Sequence, residues 1–223
     1  MSPPPIEVIA QRDDLWVLNK PSNISLLRDR SGAPDLWSQL NQQEKLYLVH
    51  RLDKGTSGVL LVARTQDAQR RLTRLFEARM VRKFYLAKVV GQLRATATRA
   101  IDLPLKKGRK SRYRVAGARD GIVSSEQGWH HPHTEGGVDA LTRVRTLQTD
   151  KDHTWIVAAP KTGRTHQLRV HLSWIGHPIV GDHLYGRQSD PRQAGERLML
   201  HCHRLVVPGW GCFSAPTSSL PTA

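Results

Sequence analysis

The stretch Leu48–Arg64, LVHRLDKGTSGVLLVAR, governs how the rest of the chain is read. Asp53 stands between two cations, Arg51 and Lys54, just ahead of the small run Gly55-Thr56-Ser57-Gly58. The apolar run Val59–Ala63 then reads as a buried strand. A carboxylate on a tight connection beside a core strand is held rigidly yet left reachable, which suits a nucleophile. Flanking Arg and Lys favour its ionised form. Taken alone, Asp53 reads more simply as a surface carboxylate in an ion pair, the usual fate of an isolated Asp.

Composition narrows the classes. A length of 223 residues with 39% hydrophobic content suits one domain spanning the chain. The formal net charge of +15, from 34 Lys+Arg against 19 Asp+Glu, makes a polyanion the first partner to consider. Nucleic acid comes first and an anionic membrane second. The longest clean apolar runs, such as Val59–Ala63, are far short of the roughly 20 residues that cross a bilayer. Met1-Ser2-Pro3-Pro4-Pro5 lacks the layout of a signal peptide. Cys202 and Cys212 give no disulfide framework. The expectation is a soluble, cytoplasmic protein, monomeric and independent of membranes.

Along the chain, Ile6–Ala10 and Leu15–Asn19 read as a hairpin ended by Lys20-Pro21. Lys20 is read evenly as a phosphate contact or a solvated lysine. Pro34, Leu36, Trp37 and Leu40 suggest a short helix with proline in its first turn. Thr65 is expected to cap a helix over Gln66–Arg79, with Ala68, Leu72, Leu75 and Phe76 on its core face. Val81–Val90 and Ile101–Leu105 read as strands, the first placing Tyr85 among inward positions. KKGRKSRYR, residues 106–114, carries six cations in nine positions, and an extended backbone puts Lys110, Arg112 and Arg114 on one face. That run is either a solvated charge stretch or an RNA contact, and the basic chain favours RNA. Residues 117–137 read as a long loop or insertion, and no Cys or carboxylate pattern completes a metal site with His130, His131 and His133. Asp139–Leu147 and His153–Ala159 read as paired strands, and Thr165 as the cap of a helix over His166–Ile175. Leu198–Pro208 is a last strand; residues 1–5 and 216–223 are expected to be disordered tails.

Three collinear stretches carry a resemblance: His50-Arg51-Leu52-Asp53 with Thr56-Ser57-Gly58, then Lys83-Phe84-Tyr85-Leu86-Ala87, then Thr162-Gly163-Arg164-Thr165-His166-Gln167-Leu168-Arg169. Together they resemble the RluA family of RNA pseudouridine synthases, of the tRNA and 23S rRNA type. The core motif begins so early that the expectation is a compact enzyme without an S4 domain. The resemblance implies an α+β fold: a bent, mostly antiparallel mixed sheet with flanking helices. It implies that Asp53 is the nucleophile, that Tyr85 stacks on the base and relays a proton, and that Arg169 pairs with the nucleophile. It further implies that Arg51 fills the space left by a flipped base, at a few kcal/mol of lost stacking. Arg164 divides evenly between a phosphate contact and a structural role.

The implied reaction breaks the N1–C1′ bond of uridine, rotates the base and joins C5 to C1′. Nothing is oxidised and nothing is transferred to water, so no cofactor is expected. The chain has no Walker loop, no dinucleotide fingerprint and no zinc-ligand pattern. The expected partner is a tRNA or rRNA stem-loop. A non-catalytic RNA-binding or RNA-folding protein is the alternative, and a nucleoside hydrolase using Asp53 a weaker one. Binding alone gains nothing from a carboxylate in a cationic groove.

Overall fold

Two apolar-rich runs near the start of the chain pair across a polar turn, as their composition dictates. In the computed structural model, which describes residues 6–29, 32–42, 44–109, 112–187, 189–195 and 197–217, they are strands β1 (Glu7–Gln11) and β2 (Leu15–Lys20). They run antiparallel, with Leu15, Val17 and Leu18 wholly buried. Helix α1 (Leu36–Leu40) is opened by Asp35, whose carboxylate accepts the Ser38 N–H at 2.8 Å. Pro34, expected inside the first turn, lies just ahead of that cap. Strand β3 (Tyr47–Leu48) and β2 both pair antiparallel with β4 (Ser57–Ala63), which is buried along its whole length.

Thr65 caps helix α2 (Gln66–Glu77) as expected, its hydroxyl accepting the Ala68 N–H at 3.2 Å. Ala68 and Leu72 are buried beneath it. The helix closes in a Schellman turn: the Arg79 N–H donates to the Phe76 carbonyl and the Met80 N–H to the Leu75 carbonyl. The left-handed residue of such a turn is usually glycine. Here it is Arg79, at φ 57°, a conformation that costs a non-glycine residue roughly 1–2 kcal/mol.

Strand β5 (Arg82–Val90) carries the chain out of one compact unit, Met1–Lys83 with His201–Ala223, and into a second, Phe84–Leu200. The strand expected over Ile101–Leu105 is divided, because Pro104 has no N–H to give a ladder. Its parts are β6 (Arg99–Asp102) and β7 (Leu105–Lys107), the latter paired antiparallel with β8 (Tyr113–Val115) in a two-stranded sheet of their own. Lys106 and Lys107 of the basic run therefore lie on one strand of a hairpin and Arg114 on the other. Residues 117–137 are not a featureless loop: a 3-10 turn at Arg119–Gly121 leads into a hairpin of β9 (Val123–Ser125) and β10 (Gly128–His130). Every residue of β9 is exposed, so no apolar alternation marked it. Trp129 anchors β10, with the Arg99 guanidinium 3.9 Å from its ring centroid.

Strands β11 (Leu141–Thr149) and β12 (His153–Pro160) pair as expected, and the strand order in this unit is β5-β12-β11-β6-β10-β9. Helix α3 (Gln167–Trp174) contributes Leu168, Val170 and Leu172 to a core shared with Ala87, Val89, Ile101 and Ile156. The chain then returns through β13 (Leu200–Val207), which pairs parallel with β4 and antiparallel with β14 (Gly211–Ser214), a strand the sequence did not announce. Gly58, at φ 111°, makes the first pairing possible, since a Cβ there would collide with the Cys202 backbone. Like β10 with β6, β13 runs parallel to its partner, in a mostly antiparallel α+β fold. Among the described residues, no helix is long and apolar enough to cross a membrane.

Candidate active site

In the first unit, Asp53 is half-buried and opens a tight turn in which its carbonyl accepts the Thr56 N–H at 3.0 Å. The turn is braced from beneath by Lys20. That lysine is neither solvated nor aimed at a phosphate; it is wholly buried, correcting both expectations. Its ammonium donates to the carbonyls of Pro21 at 2.9 Å, Lys54 at 3.2 Å and Thr56 at 2.9 Å. Burial pushes Lys20 down to about 8, while the charge of Asp53 pulls the other way. Ser22 adds a hydroxyl donor to the Gly55 carbonyl at 2.6 Å. Lys54, expected to sustain the charge of Asp53, instead forms an ion pair with Asp29 at 2.9 Å. Asp53 shares its field with Lys20. Arg51 is exposed, free to meet a ligand from solvent.

His50 of the same motif is held in a structural role. Its Nε2 accepts the Leu61 N–H at 3.0 Å and its ring stacks on Phe76, centroids 4.6 Å apart. Burial, helped by the charge of Lys83, pushes it down to about 3, so the imidazole stays neutral and ties the turn's approach to β4 and α2.

The second unit holds Tyr85, Arg164, Arg169, Arg112 and Arg114; Lys110 lies outside the described residues. Tyr85 is half-buried on β5, opposite Ala158, and packs against the unit's core. Arg169 projects from α3 into a bidentate pair: Nε donates to Asp182 Oδ2 at 2.8 Å and Nη2 to Oδ1 at 2.7 Å. The Asp182 carboxylate is fully enclosed and also accepts the N–H groups of Leu184 and Tyr185. A planar fork held this way keeps the Arg169 cation in one orientation. Its guanidinium lies 5.1 Å from the Tyr185 ring centroid, and the Tyr185 hydroxyl meets His166 Nδ1 at 2.8 Å while accepting the Tyr113 N–H at 3.0 Å. Because Tyr113 belongs to β8, the basic hairpin is tied to the element that carries Arg169.

The start of α3 departs from expectation. Thr165 does not cap it; the residue before the helix is His166, left-handed at φ 56°, with no side-chain cap. Gln167, the first residue of the helix, holds the loop ahead of it, its Oε1 accepting the Arg164 N–H at 3.0 Å and the Thr162 hydroxyl at 2.7 Å. Arg164 Nε donates to the Asp139 carbonyl at 3.0 Å, which gives that side chain a structural hold. Asp182 and Tyr185 escaped the sequence reading altogether. One signal was available: an Arg between Leu168 and Val170 on a buried helix demands a carboxylate, and Asp182 follows 13 residues later.

Residues 14–174 match the family model described as RNA pseudouridylate synthase. The chain is similar to the ribosomal large subunit pseudouridine synthase D of Yersinia pestis, 32% identical over 205 residues that cover 87% of this chain and 57% of that protein. It is similar to the ribosomal large subunit pseudouridine synthase C of Vibrio parahaemolyticus, 35% identical over 203 residues that cover 87% of this chain and 58% of that protein. The chain thus spans somewhat over half the length of these relatives. Among solved structures it is similar to Human RNA Pseudouridylate Synthase Domain Containing 1, with TM-score 0.78 and 27% identity, covering 98% of this chain and 86% of the other.

Proposed function

We propose that this chain, which belongs to the RNA pseudouridylate synthase family, isomerises uridine to pseudouridine in a structured RNA. The observation that carries the reading is the Asp53 turn, a reachable carboxylate braced by a buried lysine. Such bracing is wasted on a surface ion pair but suits a group that must meet one atom of a flipped nucleotide. In this proposal Asp53 is the nucleophile, Tyr85 manages the proton of C5 and contacts the base, and Arg169 supplies the orienting cation. Arg51 occupies the space the base leaves. Arg164, Lys110, Arg112 and Arg114 contact the backbone. The substrate is a tRNA or rRNA stem-loop, and the relatives named for the large ribosomal subunit favour rRNA. The protein acts as a cytoplasmic monomer and needs no cofactor, because substrate and product are isomers.

The test is to incubate purified protein with unmodified rRNA and tRNA transcripts and map carbodiimide-reactive residues. Pseudouridine at a discrete site, with RNA mass unchanged, is the expected result. Release of free uracil would point instead to a hydrolase, and tight binding with no modification to an RNA-binding protein.

The basic hairpin makes a second expectation. Arg112, just before β8, and Arg114 within it are exposed, whereas Val115 is buried, so the strand turns Arg114 outward. Replacing Lys110, Arg112 and Arg114 with Ser is expected to flatten the salt dependence of RNA affinity by roughly two to three units of log–log slope, at about 0.7–0.9 per lost phosphate contact. A folded variant with the original slope would return the hairpin to a solvated charge run.

A further inference from the structure

Helix α2 and the turn after it carry cations that the fold does not need. Arg70 and Arg74 are exposed and four residues apart, a like-charged spacing that weakens a helix. Arg79 and Arg82 follow, also exposed. Among the described residues, none of these four side chains ends in an ion pair or hydrogen bond. Arg71, by contrast, is accounted for: it pairs with Asp67 at 3.7 Å and lies 5.1 Å from the Trp210 ring centroid.

Arg79 is the most informative of the four. It occupies the left-handed position of the Schellman turn, where glycine is unstrained. Burial lowers the nearby Lys83 ammonium, and the charge of Arg79 lowers it further against an opposing pull from Cys202. Cations are thus crowded together at the end of the helix. The helix dipole favours a cation there, but Lys or Arg one turn earlier would gain the same without the strain. Strain and repulsion retained at an exposed position point to a ligand that compensates both.

We propose that Arg70, Arg74, Arg79 and Arg82 form a docking surface for an RNA phosphate backbone, built from residues of the first unit alone. The proposal rests on the RNA reading above, though on binding rather than isomerisation. Charge complementarity selects the partner. A membrane-surface helix needs a broad apolar face beside its cations, and only Met80, 53% exposed, is available here. A protein interface would centre on a desolvated apolar patch, which dispersed guanidinium groups do not supply.

Arg79→Gly removes the charge and the strain together, so it separates a binding role from a structural one. Its melting temperature is expected to equal or exceed that of the wild type. Its affinity for a stem-loop RNA, read by fluorescence anisotropy, is expected to fall about five- to eightfold at 0.1 M salt, with a slope shallower by about 0.7–0.9. Arg79→Lys keeps the charge and should retain most of the affinity. Arg70→Gln with Arg74→Gln should flatten the slope by roughly two further contacts. Unchanged affinity and slope in Arg79→Gly would overturn the proposal, as would a lowered melting temperature in that variant. Wild-type protein that binds no RNA would overturn it too. So would weakened binding to phosphatidylserine vesicles with RNA affinity intact, which would assign the surface to membranes. Wild-type protein that binds RNA in this way but forms no pseudouridine would sink the isomerase reading and leave the docking surface standing.

Discussion

Asp53→Ala is expected to lower single-turnover isomerisation at least about a thousandfold, the order of loss seen when a nucleophile is removed outright. The fold should survive. Asp53 is half-buried, and its backbone carbonyl, not its carboxylate, closes the turn with Thr56. The remaining brace, from Lys20 to the carbonyls of Lys54 and Thr56, does not use the carboxylate either. The melting temperature should therefore shift by only a few degrees, within the range of about 2–4 °C per kcal/mol for a chain of this size. RNA affinity should be nearly unchanged or slightly higher, because a negative charge has left a basic surface. Asp53→Asn, with the same shape, should be as inactive as the alanine variant. Turnover above a thousandth of the wild-type rate, in protein freed of contaminating enzyme, would remove Asp53 from the chemistry.

Why Asp53 was legible and its support was not comes down to range. The Asp53 turn is written locally: a carboxylate, a glycine that lets two strands close, then an apolar strand. The hairpin of β1 and β2 and the Thr65 cap were legible for the same reason, since each is settled within a few residues. Lys20 becomes a buried brace only because carbonyls 34 and 36 residues away fold over it. Nothing near Lys20 in the chain distinguishes it from a solvated lysine. Asp182 likewise acquires meaning from Arg169, 13 residues earlier, once both lie against the same core. The failed cap at Thr165 shows a local rule losing to a longer-range one. Gln167 instead ties the loop ahead of the helix, its amide fixed by Thr162, the Arg164 N–H, Thr142 and the Leu141 carbonyl, and the turn closes through His166. The β9–β10 hairpin was invisible because one of its strands has no buried side at all.

Lys20→Met is expected to destabilise the protein by about 2–3 kcal/mol near pH 7, and by more as the pH rises. The methionine keeps the aliphatic stem but withdraws the donor from the Pro21, Lys54 and Thr56 carbonyls, each of which loses a charge-assisted bond. Part of that loss is offset because a desolvated charge is removed as well. The pH dependence follows from where the proton sits. Lys20 is pushed down to about 8 in the folded chain from an ordinary 10.5. Below pH 8 both folded and unfolded chains hold the proton, and the folded state bears the whole penalty of burying it. Between about 8 and 10.5 the folded chain releases it first, so the unfolded chain binds more protons and stability rises with pH. The gain approaches about 3 kcal/mol, at about 1.36 kcal/mol per unit. Lys20→Met lacks that proton, so the gap between the two proteins should widen across this window. Urea unfolding of both at a series of pH values reads the gap directly, and a gap that stayed flat or narrowed would mean that burial does not depress this lysine. Asp53 enters the same measurement. Its charge holds the Lys20 proton on, so Asp53→Ala should move the onset of the rise to lower pH, linking the Asp53 carboxylate to the lysine beneath its turn.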